Sequence, residues 1–286
     1  MTTEKDTFLT GLVGRGITLS RTPEMHMAEA RAQSLSCVYR IIDVDELPLE
    51  EQCLKTILHT AEVTGFDGLN ITCPYKVEVV SLLDKISPEA ASIGSVNTIL
   101  FRNGKRIGHN TDYRGFAESF QRTMANALRD SILLIGAGGA GGAVVHALAD
   151  CGVKHLKIHD LDHARANKLA SQLKINHPEI SVEAIAEIDQ ASTKELCGIV
   201  NASPVGMDKI PGSPFPAELL RPDMWVADII YFPIETELLA AANKLGCRVL
   251  PGSGMAVFQA VKAFELFTGK PADPDRMTAT FSSFDP

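Results

Sequence analysis

From Phe8 onward, short apolar or β-branched runs alternate with longer helix-like stretches. Phe8 to Val13, Cys37 to Ile42, Phe66 to Ile71 and Ser95 to Phe101 have the length and residue types of strands. Between them, Pro23 to Ala32, Leu49 to Thr64 and Pro74 to Leu83 read as helices. A strand–helix order of this kind favours a mainly parallel sheet. A second series follows at Ser131 to Ile135, His155 to His159, Ser181 to Ile185, Gly198 to Asn201, Trp225 to Ile230 and Arg248 to Leu250, in a doubly wound pattern. Gly115 to Asp130 reads as the helix joining the two series. Met255 to Thr268 is too apolar for a free tail and is expected to pack back on the first module. The expected fold class is α/β with two α/β domains, residues 1–114 (joined by 253–286) and residues 115–252. No internal repeat or low-complexity run interrupts this plan.

The opening of the second module carries the strongest chemical signal. Ile132-Leu-Leu-Ile135 runs into Gly136-Ala137-Gly138-Gly139-Ala140-Gly141, a GxGxxG loop between a strand and a helix. Gly136 permits the tight turn, Gly138 lets a pyrophosphate approach the backbone, and Gly141 allows close helix packing. The helix N-terminus offers N–H groups and positive dipole to phosphates. The next strand ends at Asp160, 19 residues beyond Gly141, where a carboxylate would grip the adenosine ribose. That makes residues 115–252 a Rossmann-type dinucleotide-binding domain. A carboxylate accepts from ribose hydroxyls and repels a 2′-phosphate, so NAD is favoured over NADP by about 1–3 kcal/mol per unpaired contact. Arg165, one turn into the following helix, is placed to cover the adenine or to meet a 2′-phosphate, which would weaken that discrimination. His159 and His163 stand four apart, but the strand-to-helix break between them spoils the spacing of a helical metal pair, and no metal is expected.

The first module gathers polar residues at its strand ends. Ser20-Arg21-Thr22-Pro23 puts two hydroxyls before a helix, with Thr22 as a cap and Pro23 at the first helical position. Capping accounts for Thr22 but not Ser20; the other reading is a neutral cradle for a carboxylate. Asn70-Ile-Thr72-Cys-Pro74-Tyr-Lys76 repeats the arrangement, and a cation in a first helical turn opposes the macrodipole, so Lys76 suggests a functional amine. Asn97 and Asn110-Thr-Asp112 close two further apolar segments. Ligands of α/β sheets bind at such strand ends, although each of these residue types is also an ordinary turn or cap residue.

Composition narrows the partner. Hydrophobic residues make up 45% and charged residues 22% of 286, enough for full cores and unlike a disordered chain. Twenty-seven Lys and Arg against 35 Asp and Glu give a net charge of −8, which disfavours nucleic acid and anionic membranes. An anionic small substrate must then be held locally by hydroxyls, amides or a placed Lys. The six cysteines are scattered without a CxxC pair and read as reduced thiols. The start MTTEKDTF has neither a signal-peptide core nor an Arg-rich transit pattern, and a cytoplasmic location is expected.

Taken together, these residues resemble the shikimate and quinate dehydrogenase family, from about Gly11 to the last helix. Ser20-Arg21-Thr22-Pro23 is similar to the family's SxSP motif in the SxT form of its quinate/shikimate branch. Asn70, Thr72, Pro74 and Lys76 match NxTxPxK; Asn97 and Asp112 lie in the VNT and NTD runs. Asn201-Ala-Ser203-Pro-Val-Gly206-Met207 resembles the NATxxGM loop, with Ser203 replacing Thr. Asp228 to Leu238 resembles DxxYxPxxTxL with Tyr231, and Gly254-Met255 with Gln259 resembles the closing GMxxxQA helix. The Asn-Arg-Thr motif of NADP-linked members is absent, with Asp160-Leu-Asp162 in its place.

The resemblance implies NAD-linked oxidation of a ring alcohol of quinate or shikimate, with residues 1–114 binding the acid. Lys76 and Asp112 would be catalytic. Ser20 and Thr22 would hold the carboxylate; Asn70, Thr72, Asn97, Asp112, Tyr231 and Gln259 would hold the ring. Gly136, Ala137, Gly138, Gly139, Ala140, Gly141, Asp160, Arg165, Ser203, Met207, Gly254 and Met255 would line the cofactor. Nucleic acid and membrane are not expected partners, and a homodimer stays open. Three alternatives remain at this point: an NADP-linked biosynthetic shikimate dehydrogenase, an aminoshikimate or aminoquinate dehydrogenase, and a non-catalytic NAD- or polyol-sensing module.

Overall fold

The structure, a computed structural model, describes residues 6–284. It divides into two compact units, one holding the described residues up to Thr111 and from Val257 on, the other Asp112–Ala256.

The first unit contains strands β1 (Thr7–Gly14), β2 (Ser36–Asp43), β3 (Gly68–Ile71), β4 (Lys85–Ile86), β5 (Thr98–Arg102) and β6 (Lys105–His109), with helices α1 (Thr22–Ala32), α2 (Leu54–Val63) and α3 (Pro88–Ile93). The sheet order is β2-β1-β3-β5-β6-β4. Helix α2 buries Leu54, Ile57, Leu58 and Ala61, the spacing of one helical face, against Val13, Leu69 and Ile99 of the strands. On other strands Phe8 packs with Ala30 and Phe264, and Leu100 with Ala263 and Phe267.

This sheet is mixed where the strand–helix order suggested a mainly parallel one. β1 pairs in parallel with β2 and β3, and β4 with β6, but β3–β5 and β5–β6 are antiparallel. The cause is local: Asn103 and Gly104 have φ of 54° and 65°, as the two-residue hairpin turn between β5 and β6 requires. The helix expected over Pro74 to Leu83 is also different, a series of turns leading into a 3₁₀ helix at Glu78–Leu82. The Lys76 carbonyl, which an α-helix would offer to Val80, instead accepts the Val96 N–H at 2.8 Å. The stretch from Leu49 splits into a 3₁₀ turn at Leu49–Glu51 and α2.

Two helices cross between the units in sequence: α4 (Thr111–Thr123), which starts and ends earlier than the joining helix expected over Gly115 to Asp130, and α9 (Ser253–Thr268). The second unit holds strands β7 (Ser131–Ile135), β8 (His155–His159), β9 (Ser181–Ala184), β10 (Gly198–Asn201), β11 (Trp225–Asp228) and β12 (Arg248–Leu250). Its helices are α5 (Gly139–Asp150), α6 (His163–Asn176), α7 (Gln190–Thr193) and α8 (Glu237–Leu245). The strands are all parallel in the order β12-β11-β10-β7-β8-β9, the doubly wound Rossmann arrangement, whose switch point lies between β7 and β10. In the first unit, α10 (Pro274–Ser282) is fastened to α1 by Arg276 Nε on Glu29 Oε2 at 2.6 Å and by Arg21, whose guanidinium donates to the Phe281 carbonyl at 2.9 Å. Among the described residues no helix is long and apolar enough to cross a membrane.

Close packing of β10 on β11 leaves one position no freedom. A Cβ on Gly198 would stand 2.1 Å from the Trp225 ring, which is buried and whose Nε1 donates to the Leu128 carbonyl at 2.9 Å. Gly198→Ala is expected to cost about 1–3 kcal/mol of stability through overpacking; a thermal midpoint equal to that of the parent would contradict this packing.

Candidate functional site

In the first unit the polar residues form a connected floor at the strand ends. The α1 helix begins one residue earlier than expected: Arg21 holds the cap position without a side-chain cap, and Thr22 is already helical. It is Ser20 that does the capping work, its Oγ accepting the Thr22 N–H at 3.3 Å and donating to Thr22 Oγ1 at 3.1 Å. The two hydroxyls are thus brought together, a geometry able to meet both oxygens of one carboxylate.

Asn70 is buried and engaged on both sides. Its Oδ1 accepts from Tyr39 OH at 2.7 Å, and its Nδ2 donates to Thr98 Oγ1 at 2.9 Å and to the Asn97 carbonyl at 3.3 Å. Asn97 is the hub. Its Oδ1 accepts the Thr111 N–H at 2.7 Å and the Thr98 hydroxyl at 3.1 Å, while its Nδ2 donates to Thr111 Oγ1 at 3.0 Å. Thr111 Oγ1 reaches Gln259 Oε1 at 3.5 Å. Thr72 is half-buried beside Gly14, whose added Cβ would strike Thr72 Cγ2 at 2.3 Å. Lys76 lies in a turn, so no helix dipole opposes it; its carbonyl is tied to Val96, the neighbour of Asn97. Asp112 follows Thr111 directly and is buried in the first turn of α4.

In the second unit, two of the three fingerprint glycines are explained by packing. Gly136 has φ of 103°, and a Cβ there would meet the Ser203 backbone at 2.6 Å; one on Gly141 would lie 2.0 Å from the Gly136 carbonyl oxygen. Gly138 is different: apart from its own chain neighbours, a Cβ there would point into open space. It stands at the cap of α5 with no side-chain cap, ahead of first-turn N–H groups that lack intrahelical acceptors in any helix. Asp160 pins the loop, Oδ2 accepting the Ala137 N–H at 2.7 Å and Oδ1 the Asp162 N–H at 2.8 Å. Each oxygen keeps acceptor capacity for hydroxyl donors. Arg165 pairs with Asp162 at 3.2 Å, both exposed.

At the end of β10, Asn201 Oδ1 accepts from the Ser203 N–H and Oγ at 2.9 and 2.7 Å. Met207 is exposed on the turn after Gly206, and Tyr231 packs its ring on Phe232 at 5.6 Å between centroids. Gly254 has a packing reason, since a Cβ would meet Ser119 Oγ at 2.2 Å, and Met255 beside it is buried. No group of three or more His, Cys, Asp or Glu that could hold a metal ion occurs among the described residues.

Comparison with known proteins gives this geometry a context. Residues 12–99 match the shikimate dehydrogenase substrate binding domain, residues 109–188 the ThiF family, and residues 252–280 the shikimate 5'-dehydrogenase C-terminal domain. The chain is 46% identical over 283 residues to the quinate/shikimate dehydrogenase (NAD(+)) of Corynebacterium glutamicum (strain R), covering 97% of this chain and 99% of that one. It is also 46% identical to the shikimate dehydrogenase (NADP(+)) of Streptomyces avermitilis, covering 96% and 95%. The solved quinate dehydrogenase from Corynebacterium glutamicum in complex with NAD matches at a TM-score of 0.91 and 45% identity, covering 98% of this chain and 100% of that one. The chain belongs to the shikimate dehydrogenase family.

Within the shikimate dehydrogenase family, the equal identity to NAD- and NADP-named relatives means that overall similarity does not choose the cofactor. The structure also brings out residues that motif spacing did not single out for a role. Tyr39 and Thr98 orient Asn70, and Thr111 links Asn97 to Gln259. Asp228, fully buried, accepts from Asn201 Nδ2 at 3.1 Å, the Ile230 N–H at 2.9 Å and Thr236 Oγ1 at 2.8 Å. Its presence in the Asp228 to Leu238 run was the available signal. Burial pushes the Asp228 carboxyl up to about 6 against those hydrogen bonds.

A carboxyl raised from 3.8 to about 6 on folding favours the folded state at low pH, and that contribution is lost as pH rises through 6. Asp228→Asn does not titrate there. Its stability relative to the parent is therefore expected to rise by up to about 3 kcal/mol between roughly pH 4 and pH 7. Urea unfolding across that range checks it; a pH-independent difference contradicts the assigned burial.

Proposed function

We propose that this protein oxidises the ring 3-hydroxyl of quinate and shikimate with NAD as hydride acceptor. The observation that carries the cofactor half is the glycine loop hydrogen-bonded to the Asp160 carboxylate. Gly136 and Gly141 are required by the chain's own backbone, whereas Gly138 faces space that protein does not fill, which fits a pyrophosphate at the start of α5. Gly139 and Ala140 continue that cradle, and Asp160 accepts from the ribose hydroxyls. Arg165, paired with Asp162 in this structure, covers the adenine side. Ser203, Met207, Gly254 and Met255 belong to the nicotinamide side in this reading, and Tyr231 to the substrate ring.

The first unit supplies the acid site. Ser20 and Thr22 bind the carboxylate through their adjacent hydroxyls. Thr72, Asn97 and Gln259 hold ring hydroxyls, while Asn70, whose amide is consumed by Tyr39, Thr98 and Asn97, fixes the floor beneath them. The Thr22 hydroxyl suits quinate, which carries a hydroxyl on its carboxylate-bearing carbon. When bound, NAD supplies the electrophilic carbon that receives the hydride. Lys76 Nζ takes the proton from the substrate hydroxyl, and Asp112 accepts a hydrogen bond from the amine and so steadies it.

Lys76→Ala is expected to lower kcat by about 10²–10⁴-fold, the usual worth of a proton acceptor, with quinate affinity changed far less. Steady-state rates with calorimetric binding check this, and a variant with parental kcat removes Lys76 from the reaction. A grid of initial rates for quinate and shikimate, each with NAD and NADP, tests the reading as a whole. Activity with both acids and preference for NAD are expected; activity on shikimate with NADP alone overturns it.

A further inference from the structure

A second set of polar side chains lies in the second unit, away from the glycine loop. Tyr113, the residue after Asp112, is buried, and its hydroxyl donates to Asp150 Oδ2. Asp150 is the last residue of α5, the helix that begins at the glycine loop. Its other oxygen faces His177 Nδ1 at 3.8 Å, at the end of α6. His177 Nε2 lies 3.1 Å from Nδ1 of His146, one turn before Asp150 on α5. Glu179 also approaches His177 Nδ1, at 3.5 Å, and the Arg114 guanidinium stands 5.3 Å from the Tyr113 ring. Burial and the Asp150 carboxylate push the Tyr113 hydroxyl up to about 12, which keeps it a donor.

We infer that Tyr113 and Asp150 are positioning residues that clamp the first turn of α4 to the end of α5 and so hold Asp112 in its working orientation. The inference rests on the proposed role of Asp112. Its logic is geometric. Asp112 and Tyr113 share one helical turn, so fixing one side chain limits the rotation and fraying of the backbone that carries the other. A helix terminus is where such fraying is cheapest, because its first N–H groups lack intrahelical partners. The acceptor faces His177, whose ring is tied in turn to His146, and it sits at the end of α5 in the second unit. Neither Tyr113 nor Asp150 touches a reacting atom in this scheme; both act through Asp112.

The test is a double-mutant cycle on the full chain with quinate and NAD. Asp112→Asn is expected to lower kcat strongly. Tyr113→Phe, which keeps the ring and removes only the hydroxyl, is expected to lower kcat by about fivefold or more, with NAD affinity within about twofold. In the Asp112→Asn background, Tyr113→Phe is expected to add no further loss, since its effect runs through the missing carboxylate. Asp150→Ala should reproduce the Tyr113→Phe defect, while Asp150→Asn, which retains an acceptor oxygen, should restore most of the rate. That pair carries the test if Tyr113→Phe does not fold. A purely structural clamp would lower the thermal midpoint and leave kcat at permissive temperature unchanged, which overturns the inference, as would effects of Asp112→Asn and Tyr113→Phe that multiply. Full activity of Asp112→Asn would instead overturn the role of Asp112 itself, and the inference with it.

Discussion

The acid-binding half of this protein depends on one buried amide. Asn97 ends the turn after α3, and its Oδ1 accepts the backbone N–H of Thr111 at 2.7 Å, giving α4 a cap from a residue remote in sequence. The same side chain donates to Thr111 Oγ1, and its backbone carbonyl accepts from Asn70 and from the Ile71 N–H. One residue therefore joins β3, β5 and the start of α4. A buried network of this kind is stable only while every member is paired, since a lost partner leaves a desolvated polar group at a cost of about 1–3 kcal/mol. That requirement turns a set of ordinary turn residues into a fixed surface at the strand ends.

The dinucleotide half is organised by a parallel constraint. Asp160 has to hold the glycine loop through Ala137 and still present acceptor capacity outward, and it does the first through backbone N–H groups alone. A residue without an acceptor oxygen at this position would lose the contacts to the Ala137 and Asp162 N–H groups. At the end of β11, Asp228 performs a purely internal task, joining Asn201 to Thr236 at the cap of α8.

Much of this was legible in the amino-acid sequence, and the misses have physical causes. The central strands β7, β10 and β11 show clearly because parallel strands buried on both faces are mostly apolar runs, and the glycine fingerprint requires its own spacing. In the first unit, the strand–helix alternation concealed the β5–β6 hairpin, although Asn103-Gly104 carries its turn signal. The helix expected at Pro74 fails because the Lys76 carbonyl is claimed by Val96, a tertiary contact that no local pattern reveals. Ser20 and Thr22 were visible as a pair, but which of them caps the helix depended on where the helix starts, and it starts at Thr22 itself. Tyr39 and Thr98 were not visible, because a Tyr or Thr in a strand is first of all a strand residue, and only its partner shows its second task.

In the proposed reaction the carbon bearing the ring alcohol gives its hydrogen directly to NAD while the chain removes the hydroxyl proton. Quinate carrying deuterium at C3, incubated with the protein and NAD, tests this most directly by mass spectrometry of the reduced dinucleotide. The deuterium is expected in NADH at the same yield as the ketone product. Reduced dinucleotide formed without the label, or ketone formed without reduced dinucleotide, would contradict it.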